Sequence, residues 1–279
     1  MSRLLRLPFG MRYLLHTQGI LGSSFALFLY LYVHIFNFFP IIIPRYHDGS
    51  LPTLIVIVYM FLSANTIISF FRTMLSDPGR VLKLSDEKID WTFWEKCPKC
   101  VKPRPPRSHH CQKCGHCVLK MDHHCMWTNN CIGAGNSWIF ITLLCYTFAF
   151  AVLNTVIYLL HVFKWLEECS ACNQIPWINS TSPSIRYLSY FFILLMNLAT
   201  LFLLLTQYIN VYYDKTTIEN MSESNTILAV QRFRDSKSKH HSFASLCGTS
   251  RILWLFPCRI RSYPITNSIG LGASHPFAV

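Results

Sequence analysis

Four long stretches of the chain contain no charged residue and consist mostly of apolar side chains. They are residues 19–43, 51–71, 138–160 and 187–213. A helix needs about 20 such residues to cross the hydrocarbon core of a bilayer, and each stretch alone reaches that length. Four buried core helices of this length would be improbable in a chain of 279 residues. The pattern therefore predicts four transmembrane helices.

The composition supports an all-α polytopic membrane protein. Charged residues make up 14% of the chain, whereas soluble domains contain about 25%. Aromatic residues make up 15%. This composition excludes a disordered chain and argues against a protein that is soluble throughout, because so much apolar surface needs lipid around it.

Basic residues are concentrated in three of the segments outside the four stretches. Residues 1–18, 76–137 and 214–279 contain 21 of the 25 Lys and Arg residues. Basic segments remain on the cytosolic side of a membrane, so both termini and the long middle loop are expected in the cytosol. The net charge of +12 then follows from topology and from attraction to the lipid bilayer. No nucleic-acid partner is expected.

The predicted organisation follows the chain in five segments. They are a cytosolic N-terminus (1–18), spans one and two (19–75), a cytosolic cysteine-rich domain (76–137), spans three and four (138–213) and a cytosolic tail (214–279). The endoplasmic reticulum, the Golgi and the plasma membrane all fit this topology. The opposite side of the membrane would carry the glycosylation sequon at Asn179.

Polar residues also occur within the predicted spans. They are His34, Asn37, Asn65, Asn154 and Asn197. Polar groups in a membrane are often functional, but hydrogen bonding between helices is the more common role of asparagine there. We assign none of them a catalytic role.

Seven of the twelve cysteines lie within residues 97–131, in the middle loop. The cytosol keeps thiols reduced, so a dense cluster there indicates a metal site or catalysis rather than disulfides. Cys-x2-Cys pairs present two thiolates to one tetrahedral zinc ion, and histidine supplies a further nitrogen. The loop has almost no aliphatic run of its own. We therefore predict a zinc-binding domain that takes much of its folding free energy from metal.

The number of candidate ligands exceeds what two zinc ions need. Six cysteines and two histidines would fill two tetrahedral sites, which leaves one cysteine over. Counting alone does not identify that cysteine. Cys125 is the favoured choice, because Asp122 and His123 precede it and a nucleophilic thiol needs a base with an orienting group. A purely structural domain, a three-metal domain and a RING-like domain are the alternatives at this point.

The motif Asp122-His123-His124-Cys125, inside this cysteine-rich frame, resembles the DHHC protein S-acyltransferases, the palmitoyltransferases. Further motifs agree with that family: Asp77-Pro78-Gly79 after the second span, Thr216-Thr217-Ile218-Glu219 after the fourth, Asn129-Asn130-Cys131, and Asn136. The resemblance covers residues 19–219. It implies an enzyme that transfers a long-chain acyl group from acyl-CoA, such as palmitoyl-CoA, to cysteine thiols of membrane-associated proteins.

The resemblance also assigns roles to particular residues. It implies two structural zinc ions with interleaved ligands: Cys97, Cys100, His110 and Cys117 for one, and Cys111, Cys114, His124 and Cys131 for the other. Cys125 would be the nucleophile and His123 the general base. Asp122 would orient His123.

The residues that could contact acyl-CoA are predicted only from their type and their position in the loop. Trp127 is a candidate for the mouth of the acyl pocket, and simple packing is an equally good explanation. Arg104, Arg107 and Lys102 are candidates for binding the phosphates of CoA. Alternatively, their positive charge only keeps the loop on the cytosolic side or faces the lipid headgroups. His109 is a candidate for positioning the CoA.

One departure from the family affects the catalytic motif. Met126 follows Cys125, where the family usually has proline, and slower acylation is expected without the stiffness of proline. The main alternative function is a membrane-anchored zinc module that recruits partners without catalysis. A four-span channel or transporter is disfavoured because the spans contain no charges.

Overall fold

The computed structural model describes residues 3–8, 11–81, 94–162 and 183–221. The sequon at Asn179 and most of the predicted tail, from residue 222 onward, lie outside these residues. Among the described residues, four helices are long and apolar enough to cross a membrane: Thr17–His47, Thr53–Leu75, Ser137–His161 and Tyr190–Tyr212. The predicted fold class, with a cysteine-rich region between the second and third helices, is confirmed.

The helix ends differ from the ends of the predicted apolar stretches by a few residues, mostly outward, although α3 begins inside its stretch at Thr53. Their bounds are α1 Thr17–Asn37, a π-helical turn Phe38–Ile42, α2 Ile43–His47, α3 Thr53–Leu75, α4 Ser137–Val162, α5 Pro183–Tyr212 and α6 Thr217–Met221. The predicted stretches are bounded by hydropathy and the absence of charge, whereas a helix ends where its backbone hydrogen bonds end. The two bounds therefore need not coincide. The π-helical turn contains Pro40, which lacks an N–H donor and interrupts the α-helical hydrogen bonds.

In the part of the chain that the structure describes, four short β-hairpins accompany the helices. They pair β1 Arg3–Arg6 with β2 Arg12–Leu15, β3 Glu95–Cys97 with β4 Lys102–Arg104, β5 His109–Cys111 with β6 His116–Val118, and β7 His123–Cys125 with β8 Asn130–Ile132. The all-α prediction therefore holds for the spans, and the cysteine-rich domain is built from hairpins. Strands of three or four residues have too little surface for a core of their own.

The described chain divides into two compact units. One comprises Met1–Ser23, Phe70–Ile141 and Gln207–Val279, and the other comprises Ser24–Ser69 and Thr142–Thr206. The second unit contains most of the length of the four long helices. Large apolar side chains on these helices remain exposed, including Leu54 and Phe202, each 69% exposed. Such faces are stable in lipid rather than in water.

The asparagines of the spans mostly bind within their own helices. Asn37, Asn65, Asn154 and Asn197 each donate to the backbone carbonyl four residues earlier. Asn197 also donates to Thr155 Oγ1 at 2.9 Å, which links α5 to α4. The expectation of hydrogen bonds between helices is therefore met at Asn197. At the other three, the side-chain amide donates to a carbonyl of the same helix.

The Asp-Pro-Gly segment after α3 anchors the cysteine-rich domain within the first unit. Asp77 Oδ1 accepts from the amides of Gly79 and Arg80, both at 3.0 Å. The Gly79 carbonyl accepts from Leu119. Gly135 packs so closely on this turn that an added Cβ would lie 2.8 Å from the Gly79 nitrogen. The segment thus fixes the position of the hairpins relative to the end of α3.

Candidate active site and metal-binding clusters

Two groups of three cysteines and one histidine come together in the cysteine-rich domain. In each group the ligand atoms lie within 4.8 Å of one another. The groups are Cys97, Cys100, His110 and Cys117, and Cys111, Cys114, His124 and Cys131. These are the two interleaved sets that the resemblance implied. Each set can hold one metal ion.

Hairpin pairing explains how ligands distant in sequence converge. His110 on β5 lies opposite Cys117 on β6. His124 on β7 lies opposite Cys131 on β8 in the same way. Each hairpin therefore brings one imidazole and one thiol together across the strands, and the turn of a neighbouring hairpin supplies the Cys-x2-Cys pair.

The distances within each group fit zinc. Tetrahedral ligands, with Zn–S of about 2.3 Å and Zn–N of about 2.0 Å, lie roughly 3.5–3.8 Å apart. His124 Nδ1 lies 3.4–3.6 Å from the three Sγ atoms of its group. His110 Nδ1 lies 3.1–4.0 Å from the three Sγ atoms of its own. Three thiolates and an imidazole are also a donor set that zinc prefers, so the residues fit the metal.

Each Cys-x2-Cys pair lies in a tight turn in which a backbone amide points at sulfur. The Cys100 amide donates to Cys97 Sγ at 3.5 Å, and the second pair repeats this bond at 3.4 Å. The residue that follows each pair adopts a left-handed conformation: Val101 has φ +52° and Gly115 has φ +72°. Glycine adopts this conformation readily, whereas it is strained for β-branched valine.

Cys125 lies outside both groups and next to an Asp–His pair. It is the one cysteine of the seven in residues 97–131 that belongs to neither group, and its side chain is buried. His123 Nδ1 donates to Asp122 Oδ2 at 2.8 Å. The ring of His123 also packs edge-on against Phe140, with 5.3 Å between centroids. Because Nδ1 is bonded to Asp122, Nε2 is the ring nitrogen that can accept the proton of the Cys125 thiol.

The Asp122 carboxylate accepts four hydrogen bonds. Oδ2 accepts from His123 and from Gln207 Nε2, both at 2.8 Å. Oδ1 accepts from the Thr217 amide at 2.6 Å and from Asn210 Nδ2 at 3.4 Å. The Thr-Thr-x-Glu segment and the end of α5 therefore both contact the DHHC motif.

Hydrogen bonding opposes the effect of burial at each of these groups. Burial disfavours protonated His123, but the bond to Asp122 and the adjacent Cys125 outweigh it and raise the pKa of His123 to about 9. Burial also disfavours the charged forms of the other two groups. Even so, the pKa of Asp122 lies below its ordinary value because of His123 and the Thr217 amide. The pKa of the Cys125 thiol is likewise lowered, because His123 and Thr128 outweigh burial. The surroundings favour a thiolate, the nucleophilic form of cysteine.

The turn that follows Cys125 is held against the start of α1. Asn129 Nδ2 donates to the Leu14 carbonyl at 2.6 Å. A Cβ added at Gly22 would lie 2.6 Å from the Met126 carbonyl oxygen, so only glycine permits this approach. Met126 and Trp127 themselves are 45% and 44% exposed. The turn is therefore fixed by its backbone, and its two large side chains remain accessible next to the thiol.

Comparison with known proteins agrees with this site. The sequence model of the DHHC palmitoyltransferase domain matches residues 92–224. Palmitoyltransferase ZDHHC3 of Rattus norvegicus is 32% identical over 219 residues, which span 74% of this chain and 71% of that protein. This chain belongs to the DHHC palmitoyltransferase family.

Other relatives extend the similarity across most of the chain. Palmitoyltransferase ZDHHC21 of Bos taurus is 34% identical over 84% of this chain and 88% of its own length. Probable protein S-acyltransferase 12 of Arabidopsis thaliana is 29% identical over 82% of this chain and 81% of its own length. The DHHC motif, both ligand groups and the four membrane helices thus occur together in a chain of this family.

Arg107, a residue predicted at the CoA phosphates, is bound to two carboxylates. Its Nε and Nη2 donate to Glu219 Oε1 and Oε2 at 2.7 and 3.0 Å. Its Nη1 donates to Asp214 Oδ2 at 3.1 Å, and its Nη2 also donates to the Asp214 carbonyl at 2.6 Å. The guanidinium is thus engaged by the segment after α5, and we do not retain it as a phosphate ligand.

The other residues predicted to contact acyl-CoA are spread over the domain. Arg104 forms an ion pair with the exposed Glu95 at 2.7 Å. His109 is partly buried, and burial together with nearby Arg104 lowers its pKa, so it offers a neutral imidazole near neutral pH. Lys102 is exposed. Trp127 lies two residues after Cys125 in sequence and its side chain is exposed, so its role at the mouth of the acyl pocket stays a prediction.

Sequence reasoning missed the residues that hold Asp122. Gln207 and Asn210 are buried polar residues, three positions apart near the cytosolic end predicted for span four. Their spacing, which places both on one face of a helix, is the signal that could have identified them. Lys120 was also missed; its Nζ binds Asp214 Oδ1 at 2.6 Å.

Proposed function

We propose that the chain is a protein S-acyltransferase that forms an acyl-enzyme on Cys125. The observation that carries this proposal is the position of Cys125, outside both ligand groups and next to the hydrogen-bonded pair of Asp122 and His123. Membership of a palmitoyltransferase family supports the same activity.

The first half-reaction exchanges one thioester for another. His123 Nε2 takes the proton of the Cys125 thiol, and Asp122 stabilises the resulting imidazolium. The thiolate attacks the carbonyl carbon of acyl-CoA, the new carbon–sulfur bond forms, and the bond to the CoA sulfur breaks. His123 returns its proton to the departing CoA thiolate. The bond made and the bond broken are of the same kind, so no ATP is needed.

The second half-reaction transfers the acyl group to an acceptor. His123 removes the proton of a cysteine thiol on a membrane-associated protein, and that thiolate attacks the acyl-enzyme. The acceptor becomes a thioester, and Cys125 leaves as a thiolate and regains the proton from His123. Two half-reactions that share one intermediate predict ping-pong kinetics.

The bilayer and the metal sites have supporting roles. Each CH₂ kept out of water stabilises binding by about 0.8 kcal/mol, so a long acyl chain favours an enzyme within the membrane. Two structural zinc ions would be held by the two ligand groups, and their role when bound is to fix the hairpins that present Cys125.

The proposed orientation places both termini and the cysteine-rich domain in the cytosol. The distribution of Lys and Arg along the chain supports it. An epitope tag at either terminus should react with antibody after permeabilisation of the plasma membrane alone. A tag detected only after full permeabilisation would contradict this topology. The compartment, whether endoplasmic reticulum, Golgi or plasma membrane, can be identified in the same cells.

Autoacylation tests the proposed activity. Purified, zinc-loaded wild type should take label from a clickable palmitoyl-CoA analogue, and hydroxylamine should remove the label because it is a thioester. Cys125→Ser should take none and should keep both zinc ions, since Cys125 belongs to neither ligand group. A folded, zinc-loaded wild type that takes no label would contradict the proposal and favour a zinc interaction module. Met126→Pro would then show whether the missing proline is the cause.

A further inference from the structure

The end of α5 supplies two buried amide side chains to one carboxylate. Gln207 is 6% exposed and Asn210 is 3% exposed. Gln207 Nε2 donates to Asp122 Oδ2 at 2.8 Å, and Asn210 Nδ2 lies 3.4 Å from Asp122 Oδ1. The two residues are three positions apart, so they lie on one face of α5. The helix therefore reaches both oxygens of Asp122.

Other hydrogen bonds fix the orientation of the Asn210 amide. Its Nδ2 donates to Thr217 Oγ1 at 2.9 Å, and its Oδ1 accepts from Asn220 Nδ2 at 2.8 Å. With its oxygen occupied by a donor, the amide keeps its NH₂ towards Asp122. Gln207 makes the shorter of the two side-chain bonds from α5 to the carboxylate.

The groups that donate hydrogen bonds to Asp122 from the end of α5 and from Thr217 carry no charge. Gln207 and Asn210 donate through amides, and the Thr217 contact is a backbone N–H. A cationic partner at the same distance would partly neutralise the charge of Asp122, so Asp122 would stabilise the His123 imidazolium less. Neutral donors instead hold the carboxylate in place without offsetting its negative charge, which remains available to stabilise the His123 imidazolium. Buried donors in this position are also costly to leave unpaired.

We propose that Gln207 is a positioning residue for acyl transfer. It holds Asp122 so that His123 keeps Nδ1 on the carboxylate and Nε2 towards Cys125, and Asn210 supports it. This inference rests on the proposed acyl-enzyme chemistry. It assigns span four a direct part in aligning the base, in addition to its part in the membrane.

Two variants of Gln207 test this role. Gln207→Met keeps the length of the side chain and removes the donor, whereas Gln207→Asn keeps the amide and withdraws it from Asp122. Thr206→Val is the matched control, because Thr206 is the adjacent residue and its hydroxyl bonds to the Phe202 carbonyl of the same helix. Each protein is compared by single-turnover autoacylation over a range of acyl-CoA concentrations, with zinc content measured alongside.

The proposal predicts a specific kinetic pattern. The maximum rate should fall about tenfold in both Gln207 variants, as expected for the loss of one buried hydrogen bond to a charged group. The acyl-CoA concentration for half-maximal rate should stay within about twofold, because the proposed role of Gln207 acts through Asp122 and not through binding of the donor. Two zinc ions should remain bound, and Thr206→Val should match wild type. A folded, zinc-loaded Gln207 variant with the wild-type maximum rate would overturn the proposal. Loss of zinc in both variants would also overturn it, because Gln207 would then be needed for the folded structure of the domain rather than for the alignment of His123.

A second readout separates this proposal from the acyltransferase activity. The rate at which iodoacetamide alkylates Cys125, followed on its peptide by mass spectrometry, needs no acyl-CoA. It should fall in both Gln207 variants and not in the control. If wild type takes no acyl label, the activity fails while alkylation still tests the role of Gln207. If wild type is labelled and alkylation is unchanged in the variants, the role of Gln207 fails alone.

Discussion

Replacement of Arg107 by methionine should destabilise the cysteine-rich domain strongly. The side chains of Arg107 and Glu219 are 14% and 11% exposed, and they meet through two N–O contacts. Removal of one partner from a buried ion pair costs about 3–5 kcal/mol, because the other charge stays buried without compensation. Arg107 also pairs with Asp214, which is 41% exposed and can turn to solvent. We therefore expect a loss near the lower limit, about 3 kcal/mol.

Lys120→Met is the matched control for this variant. Lys120 pairs with the same Asp214, but the two side chains are 26% and 41% exposed. An exposed pair contributes about 1 kcal/mol or less. The assay is the temperature at which half of the detergent-purified protein is lost from the monodisperse peak. For a chain of this size, 1 kcal/mol shifts such a midpoint by about 2–4 °C. Arg107→Met should therefore lower it by about 6–12 °C, and Lys120→Met by at most about 4 °C.

A double variant completes the test. Glu219→Gln combined with Arg107→Met should recover part of the lost stability, because a neutral amide is buried at lower cost than a carboxylate. An Arg107→Met midpoint within about 3 °C of wild type would show that this ion pair does not stabilise the domain by the expected amount. If the midpoint stayed constant while the acyl-CoA concentration for half-maximal labelling rose, Arg107 would be the phosphate ligand that its charge first suggested.

Three further predictions concern the turns and the metal sites. Gly22→Ala should abolish autoacylation, since its Cβ would clash with the backbone after Cys125, whereas exposed Ser24→Ala should label normally; equal labelling of both would contradict this close contact. Val101→Gly should raise the thermal midpoint by a few degrees, since left-handed backbone costs a residue with Cβ about 1–2 kcal/mol and glycine loses some of that gain to unfolded-chain entropy; a lower midpoint would argue against a strained turn. Metal analysis should give about one zinc ion fewer for Cys97→Ser and no loss for Cys125→Ser, and a strong chelator should unfold the domain in both; equal zinc loss in the two variants would contradict the ligand grouping.

Hydropathy and ligand spacing predicted the features that depend on local sequence. The four membrane helices follow from uncharged stretches, since a span is defined by its own residues. The dense Cys and His spacing within residues 97–131 predicted a zinc-binding domain, but the division of the ligands into two groups came only from the resemblance to the DHHC family, and the structure brings those groups together. The hairpins themselves were not predicted, because strands this short have no detectable alternation of polar and apolar residues.

The contacts that complete the site depend on long-range packing, and local patterns did not indicate them. Arg107 and Glu219 are 112 residues apart in the chain, and Gln207 and Asp122 are 85 apart. In sequence, Arg107 has the character of a free cation in a basic loop, and its two carboxylate partners are visible only in the fold. Gln207 and Asn210 have a spacing that places them on one face of a helix, but their partner on that face, Asp122, is visible only in the fold.

Transfer from an isolated acyl-enzyme tests most directly whether Cys125 carries the acyl group to the acceptor. Wild type is labelled with the palmitoyl-CoA analogue, free CoA thioester is removed, and a membrane-anchored peptide with one cysteine is added. Label should leave Cys125 and appear on the peptide at the same rate, with no further CoA thioester present. Label that stays on Cys125 while the peptide remains unmodified, or a peptide that Cys125→Ser acylates equally well, would contradict it.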